Sequence, residues 1–360
     1  MRPSRRPIII ATRRSPLAQQ QAKAVAGALR RLHGDIEVKL LLIESEGDKL
    51  LDHPLAALGR DEGTKGRRDE VRNTVSTSDL SFPSSLRPSV PSSLSPPPSS
   101  LRPSVPPTTG GKGLFTAAIE QAVLDGRADI AVHSMKDVPT LDTPGLVIAA
   151  VPKRGDVRDC FIAHTAASIE QLPPGALVGT SSMRRAAQLH RLRPDLRIEP
   201  LRGNIDSRMR KVLIDKKYDA TLLAMAGLIR GGHGERATNP LDVNIMLPSA
   251  GQAALAIQCR ADDHVTLRRC LPLNDAISAA CVEAERAVVA ALGADCRSPL
   301  AVLAQPVDHA NFTLRARAMC KDGSTILEAE QTGSLKRVKH VTRHVVETLQ
   351  AKGAKQILRS

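Results

Sequence analysis

Three times in this chain a short apolar run, read as a buried strand, passes into a helix through small polar and basic residues. That alternation commits the chain to layered α/β architecture. The first run covers 7–12 (Pro-Ile-Ile-Ile-Ala-Thr) and leads into Arg13-Arg14-Ser15-Pro16. Ser15 suits an N-cap and Pro16 the first helical position. Leu17, Ala18, Ala22, Val25, Ala26, Leu29 and Leu32 then follow at helical spacing up to Gly34, and a second strand runs over 36–43. Strand, helix, strand implies a parallel sheet with helices on its faces. The second junction takes a strand at 176–179 into a helix at 181–192 through Thr180, Ser181, Ser182, Met183, Arg184 and Arg185. The third takes a strand at 196–201 into a helix at 204–215 through Arg202, Gly203, Asn204 and, one turn on, Arg208.

A helix start presents unpaired N–H groups and the positive end of its dipole, and hydroxyls with guanidinium forks turn it into an anion clamp. Capping with solvated arginines explains any one junction. Three in one chain favour a shared anion site in a crevice at the strand ends. Spacing alone leaves phosphate, sulfate and carboxylate equally open.

Net charge points the same way. The chain carries 51 Lys and Arg against 37 Asp and Glu, a balance of +14 that favours an anionic partner. Single-strand nucleic-acid binders interleave basic residues with stacking aromatics, and aromatics make up only 1% here, with no Trp. A small polyanionic ligand fits better. No run reaches the roughly 18 apolar residues of a membrane helix, and the apolar run near the start is too short for a signal peptide. The six cysteines (160, 259, 270, 281, 296, 320) form no CxxC pair, which speaks against zinc and disulfides. The expectation is a cytoplasmic protein that uses no metal and binds neither nucleic acid nor membrane.

The α/β pattern continues with a helix at 113–126, strands at 129–135, 146–152 and 159–163, a strand at 220–224 followed by a helix, and a strand at 254–259. After 275 a long helix (276–292), strands at 312–319 and 325–331 and a helix at 334–351 suggest a small α+β domain. From 60 to 109 the pattern fails. That stretch holds 12 Ser and 9 Pro and repeats Ser-Ser-Leu-Arg-Pro-Ser-Val-Pro at 84–91 and 99–106. It offers no apolar face to offset its ordering entropy, so it is expected to be a disordered insertion.

Several blocks together resemble the porphobilinogen deaminase family. They are ATRRSPLA (11–18), GGKGLF (110–115), ADIAVHSMKDVP (128–139), VGTSSMRRAAQL (178–189), LRGNIDSR (201–208) and PSAGQAALAIQCR (248–260), in the family's order. The resemblance implies two doubly wound domains arranged as in type II periplasmic binding proteins, plus a small α+β C-terminal domain. Domain 1 would be 7–152 with 254–271, domain 2 158–247 and domain 3 276–360, with hinges near 153–157 and 248–253.

The implied activity is stepwise condensation of four porphobilinogen molecules, each losing ammonia, on a covalent dipyrromethane, followed by hydrolytic release of hydroxymethylbilane. Carried over residue by residue, Cys296 in GADCRSPL would hold the dipyrromethane and Asp137 would be the catalytic acid/base. Taken alone, Asp137 reads as a turn residue and any single cysteine as a buried thiol. Arg13, Ser15, Lys136, Thr180, Ser182, Arg184, Arg185, Arg202 and Asn204 would bind the cofactor. Arg208, Arg236, Lys112, Phe115 and Gln252 would bind substrate or the growing chain. Two departures stand out: Ala294-Asp295 replaces a glycine pair, and Ala253 replaces a hinge glycine. An anion-binding protein of periplasmic type shares the clamps but needs a signal peptide and no third domain. A basic nucleic-acid-binding regulator should show a recognition helix or an aromatic platform.

Overall fold

A computed structural model describes residues 6–34, 36–44, 116–295 and 297–358. The segment 60–109, Lys112, Phe115 and Cys296 lie outside the described residues. In chain order the elements are β1 (Ile8–Arg13), α1 (Pro16–His33), β2 (Val38–Ile43), α2 (Ala117–Leu124), β3 (Ile130–Ser134), β4 (Leu146–Ala150) and β5 (Asp159–Ala163). There follow β6 (Leu177–Gly179), α3 (Met183–Leu192), β7 (Arg197–Glu199), α4 (Ile205–Leu213), β8 (Ala220–Ala224), α5 (Met225–Arg230) and β9 (Leu255–Arg260). The chain closes with α6 (His264–Cys270), α7 (Ala276–Ala291), β10 (Leu300–Pro306), β11 (Asn311–Met319), β12 (Ile326–Ser334), α8 (Val338–Ala351) and α9 (Ala354–Ile357).

The strands form three sheets, ordered β2-β1-β3-β9-β4, β5-β8-β6-β7 and β10-β11-β12. In the first, Ile8 and Ile10 of β1 face Ala22, Val25, Ala26 and Leu29 of α1, all buried. Burial of a side chain such as Leu29 contributes about 2 kcal/mol. The opposite face is lined by Ala11 and Ala131, small enough for α2 to settle Ile119 and Val123 against them. The second sheet is likewise covered on both faces, by Leu189 of α3 on one and by Met209, Val212 and Leu228 on the other.

Two strands run against the expected parallel order. β9 is antiparallel to β3 and β4, and β5 is antiparallel to β8. Both are the strands by which the chain arrives from the other sheet, after crossing over at 151–158 or 248–254. In each case it returns directly instead of through a covering helix.

The third layer has one strand more than expected. β10 is an apolar run without alternation, because both its faces are covered. Along β11, Phe312, Leu314, Ala316 and Ala318 turn inward toward Val288 of α7 and Val345 and Leu349 of α8. On the other face Ala301, Leu303 and Met319 pack against Ala187 of α3 and Leu247. The third sheet therefore rests on the helix that carries Arg184 and Arg185. No helix among the described residues is long and apolar enough to cross a membrane.

Candidate active site

The three strand-to-helix junctions form as helix starts. The Ser15 hydroxyl accepts from Ala18 N at 3.4 Å, Ser182 from Arg185 N at 3.4 Å, and Asn204 Oδ1 from Ser207 N at 2.8 Å. These three side-chain oxygens are committed to capping. Thr180 is buried and accepts from Ser182 N at 3.2 Å. Gly203 has φ +114, and a Cβ there would collide with Ser207 Oγ, so the third junction admits only glycine.

Asp137 lies just past β3, in a single 3-10 turn (Met135–Asp137) closed by Val138 N donating to Met135 O at 3.1 Å. Met135 is buried beneath it and its N–H bonds Ala254 O at 3.0 Å. Gly251, at φ +70, lets the second crossing press against this turn: a Cβ would stand 2.8 Å from Met135 Cγ and 3.1 Å from Lys136 N. With its underside anchored, the turn leaves Lys136 and Asp137 exposed.

Lys136 is open to water yet surrounded by protein mass, the condition of a recess. That crowding lowers its pKa, the charge of Asp137 raises it, and those of Arg185 and Arg184 lower it again. From α4, Arg208 faces the same recess. Burial draws its pKa down to about 10, helped by Arg185 and opposed by Asp137. Its Nε is fixed on Gly203 O at 2.8 Å. One carboxylate thus lies within electrostatic reach of cations from two different sheets.

Arg184 and Arg185 are buried and share one carboxylate, which sequence reasoning did not single out. Arg184 Nη2 reaches Asp159 Oδ2 at 2.8 Å and Arg185 Nη2 reaches Asp159 Oδ1 at 2.7 Å. Arg184 also donates to Leu247 O at 2.7 Å. Burial alone would raise the Asp159 carboxyl, but the two guanidinium charges and their hydrogen bonds hold it well below the usual range. Two cations on one anion leave a surplus positive charge, which suits a carboxylate-bearing ligand. Gln252 is buried as well; its amide donates to Val157 O at 2.8 Å and Asp159 Oδ1 at 2.9 Å. It braces the crossings from inside.

The two crossings meet at a second buried pair. Arg154 grips Glu285 of α7 at 2.6 and 3.0 Å and donates from Nε to Gln252 O at 2.8 Å. Glu285 in turn accepts from Gly251 N at 2.6 Å and Ala304 N at 2.7 Å. Beside it Ala253 adopts φ +69, a left-handed conformation that costs a residue with a Cβ about 1 kcal/mol. Arg230 Nη2 donates to the Ala253 carbonyl at 2.6 Å.

The structure does not bring every candidate together. Arg202 is exposed. Arg236 is exposed with Glu235 at 3.9 Å, on a pocket it shares with Phe161, Leu213 and Asn239 but with none of the other candidates. Arg13 is half-buried, its charge felt by His133. Among the described cysteines, burial pushes Cys259 and Cys270 up to about 12 and Cys281 to about 11, and raises Cys160. Thiols held protonated in this way are poor nucleophiles. Flanking Cys296, Asp295 accepts from Arg297 N at 2.9 Å and from the Ser298 hydroxyl at 3.1 Å. The aspartate that replaces a glycine thus ties the ends of that loop. Among the described residues, no three His, Cys, Asp or Glu side chains gather as metal ligands.

Known proteins share this framework. The family model described as "Porphobilinogen deaminase, dipyromethane cofactor binding domain" matches residues 8–66 and 105–268, and "Porphobilinogen deaminase, C-terminal domain" matches 279–351. The porphobilinogen deaminase of Acidithiobacillus ferrooxidans is 41% identical over 325 residues, 90% of this chain and 89% of that protein. That of Nitrosomonas europaea is 36% identical over 351 residues, 98% of this chain and 97% of that protein. Among solved structures, the periplasmic aliphatic sulphonate binding protein SsuA from Escherichia coli matches with a TM-score of 0.33 and 11% identity, over 80% of this chain and 70% of that one. The chain belongs to the porphobilinogen deaminase family.

Proposed function

We propose that this chain is a hydroxymethylbilane synthase, a monomeric cytoplasmic transferase that condenses four porphobilinogen molecules and releases the linear tetrapyrrole. The observation that carries the reading is Asp137: one carboxylate beside a recess, within electrostatic reach of Lys136 and Arg208, which in turn feel the charge of Arg185. The three sheets support a division into domains 7–152 with 254–271, 158–247 and 276–360.

The donor set fits a dipyrromethane. Its carboxylates would meet Lys136 and Arg185, with Arg13 at the first junction, and its pyrrole N–H groups would find Asp137 as acceptor. Cys296 would carry it, by the resemblance of GADCRSPL to the family's cofactor loop; the thiols at 160, 259, 270 and 281 are buried and Cys320 is half-buried. Bound there, this group supplies the primer whose free ring carbon accepts the first porphobilinogen.

The chain's own residues supply charge and order. Asp137 gives a proton to the departing amine and then faces the cation left on the substrate. A fixed opposite charge in a preorganised site stabilises that cation without solvent reorganisation. Arg208 meets a substrate carboxylate, and Asp159 keeps Arg184 and Arg185 from repelling each other apart. The test is porphobilinogen consumption by the purified chain. Asp137→Asn should lower kcat by about 100- to 1000-fold while the melting temperature holds. Near-normal turnover in that variant would remove Asp137 from the chemistry.

A further inference from the structure

Arg286 stands in the middle of α7 and reaches out of its own layer to the backbone directly after Asp137. Its Nη2 donates to Pro139 O at 2.8 Å and Thr140 O at 3.4 Å, and its Nη1 to Val138 O at 3.3 Å. Nη1 also reaches Met135 Sδ of the turn itself at 4.0 Å, and Asp142 lies 3.3 Å from Nη2.

This is an expensive way to hold a loop. The Arg286 side chain is 13% exposed while Asp142 is 66% exposed, so the one carboxylate in ion-pair contact with this largely buried cation is a wet one. Such a pair adds little to stability. Burial draws the guanidinium below its usual range, with Asp142 and Glu120 pulling it back. What the arrangement provides is geometry. A planar guanidinium spreads five donors over a rigid fork, and here its two terminal nitrogens share three successive carbonyls, a span that the single nitrogen of a lysine lacks.

Those carbonyls are the exit of the Asp137 turn. Its entry is already fixed by Met135 N on Ala254 O and by the close approach of Gly251. Fixing both ends leaves the turn no freedom to tilt. α7 is also the helix that leads, five residues past its end at Ala291, to Cys296.

We propose that Arg286 is a positioning residue for Asp137, holding the carboxylate at its working angle through the carbonyls of Val138, Pro139 and Thr140. The assignment rests on the reading of Asp137 given above. It makes α7 a single strut running from the cysteine loop to the catalytic turn.

The test uses the full chain with Arg286→Lys and Arg286→Gln, each alone and combined with Asp137→Asn. Intact mass reports the cofactor, thermal melting the fold, and steady-state kinetics kcat and KM. Arg286→Lys keeps the charge and most of the packing, so it decides the matter if Arg286→Gln fails to fold. The expected result is a folded Arg286→Lys protein with its cofactor, kcat lowered about 10- to 100-fold and KM within about twofold. In the Asp137→Asn background the same change should alter kcat by less than about twofold, because the group it positions is gone. Wild-type kcat in Arg286→Lys, or an equal loss in both backgrounds, overturns the assignment alone. A wild-type chain that consumes no porphobilinogen overturns the reading of the site and this assignment with it.

Discussion

The Gln252 amide donates to Asp159 Oδ1 at 2.9 Å, which ties the second crossing to the one carboxylate that holds both Arg184 and Arg185. The backbone joining the two α/β sheets and the cationic wall of the recess are therefore one bonded unit.

Removing that carboxylate should be costly. Asp159→Asn leaves two buried guanidiniums without a counter-charge, and breaking a buried pair in this way costs about 3–5 kcal/mol. Gln252→Leu spares the ion pairs and should cost less, about 1–3 kcal/mol for the acceptors it strands. Urea midpoints of the two variants give the comparison. An Asp159→Asn midpoint equal to wild type would mean the pair is not doing what its geometry indicates.

Ala253 is the simplest site for a gain. At φ +69 its Cβ is strained, so Ala253→Gly should stabilise by a few tenths to about 1 kcal/mol despite the extra freedom of glycine in the unfolded chain. A lower melting temperature for Ala253→Gly would show that the strain is relieved elsewhere.

Acid should expose His133. Burial pushes its imidazole down to about 4, with the help of the Arg13 charge and against the neighbouring Gln258 side chain. The folded pKa lies below the unfolded value of about 6.5, so the stability this group confers is full above pH 6.5. It is lost as pH falls toward 4, by about 3 kcal/mol in all. Glu120, raised by its own burial, works in the opposite sense, so the useful quantity is a difference. Stability curves of wild type and His133→Gln should converge by about that amount between pH 6.5 and 4. Parallel curves would contradict the assignment.

Much of this was legible in the sequence because it is local. Ser15, Ser182 and Asn204 announce helix starts within a few residues of themselves, and each caps the helix expected of it. Strands 159–163 and 220–224 stand where their apolar runs end. What escaped is held by distant partners. Asp159 looks like any charged residue opening a strand until Arg184 and Arg185 fold over it. Arg154 and Glu285 are 131 residues apart, and nothing near either one foretells the other. The reversed strands β5 and β9 escaped for a similar reason, since direction is set by where the chain comes from and not by what it is made of.

Residues 67–104 fall between the two stretches matched by the cofactor-domain model, within the Ser- and Pro-rich 60–109 segment. Each doubling of a flexible loop costs only about 0.6 kcal/mol. Deleting 67–104 should therefore leave cofactor assembly intact and the melting temperature equal or slightly raised. A deletion protein that cannot acquire the cofactor would make the segment part of the working enzyme.

The account stands or falls on a covalent group at Cys296, and intact-protein mass measures it directly. The purified full-length chain should weigh more than its sequence by one dipyrromethane. Cys296→Ala should lose that increment and all bilane synthesis, while single changes at 160, 259, 270, 281 and 320 keep both. A wild-type mass equal to that of the bare chain, or an increment that persists in Cys296→Ala, would contradict the account.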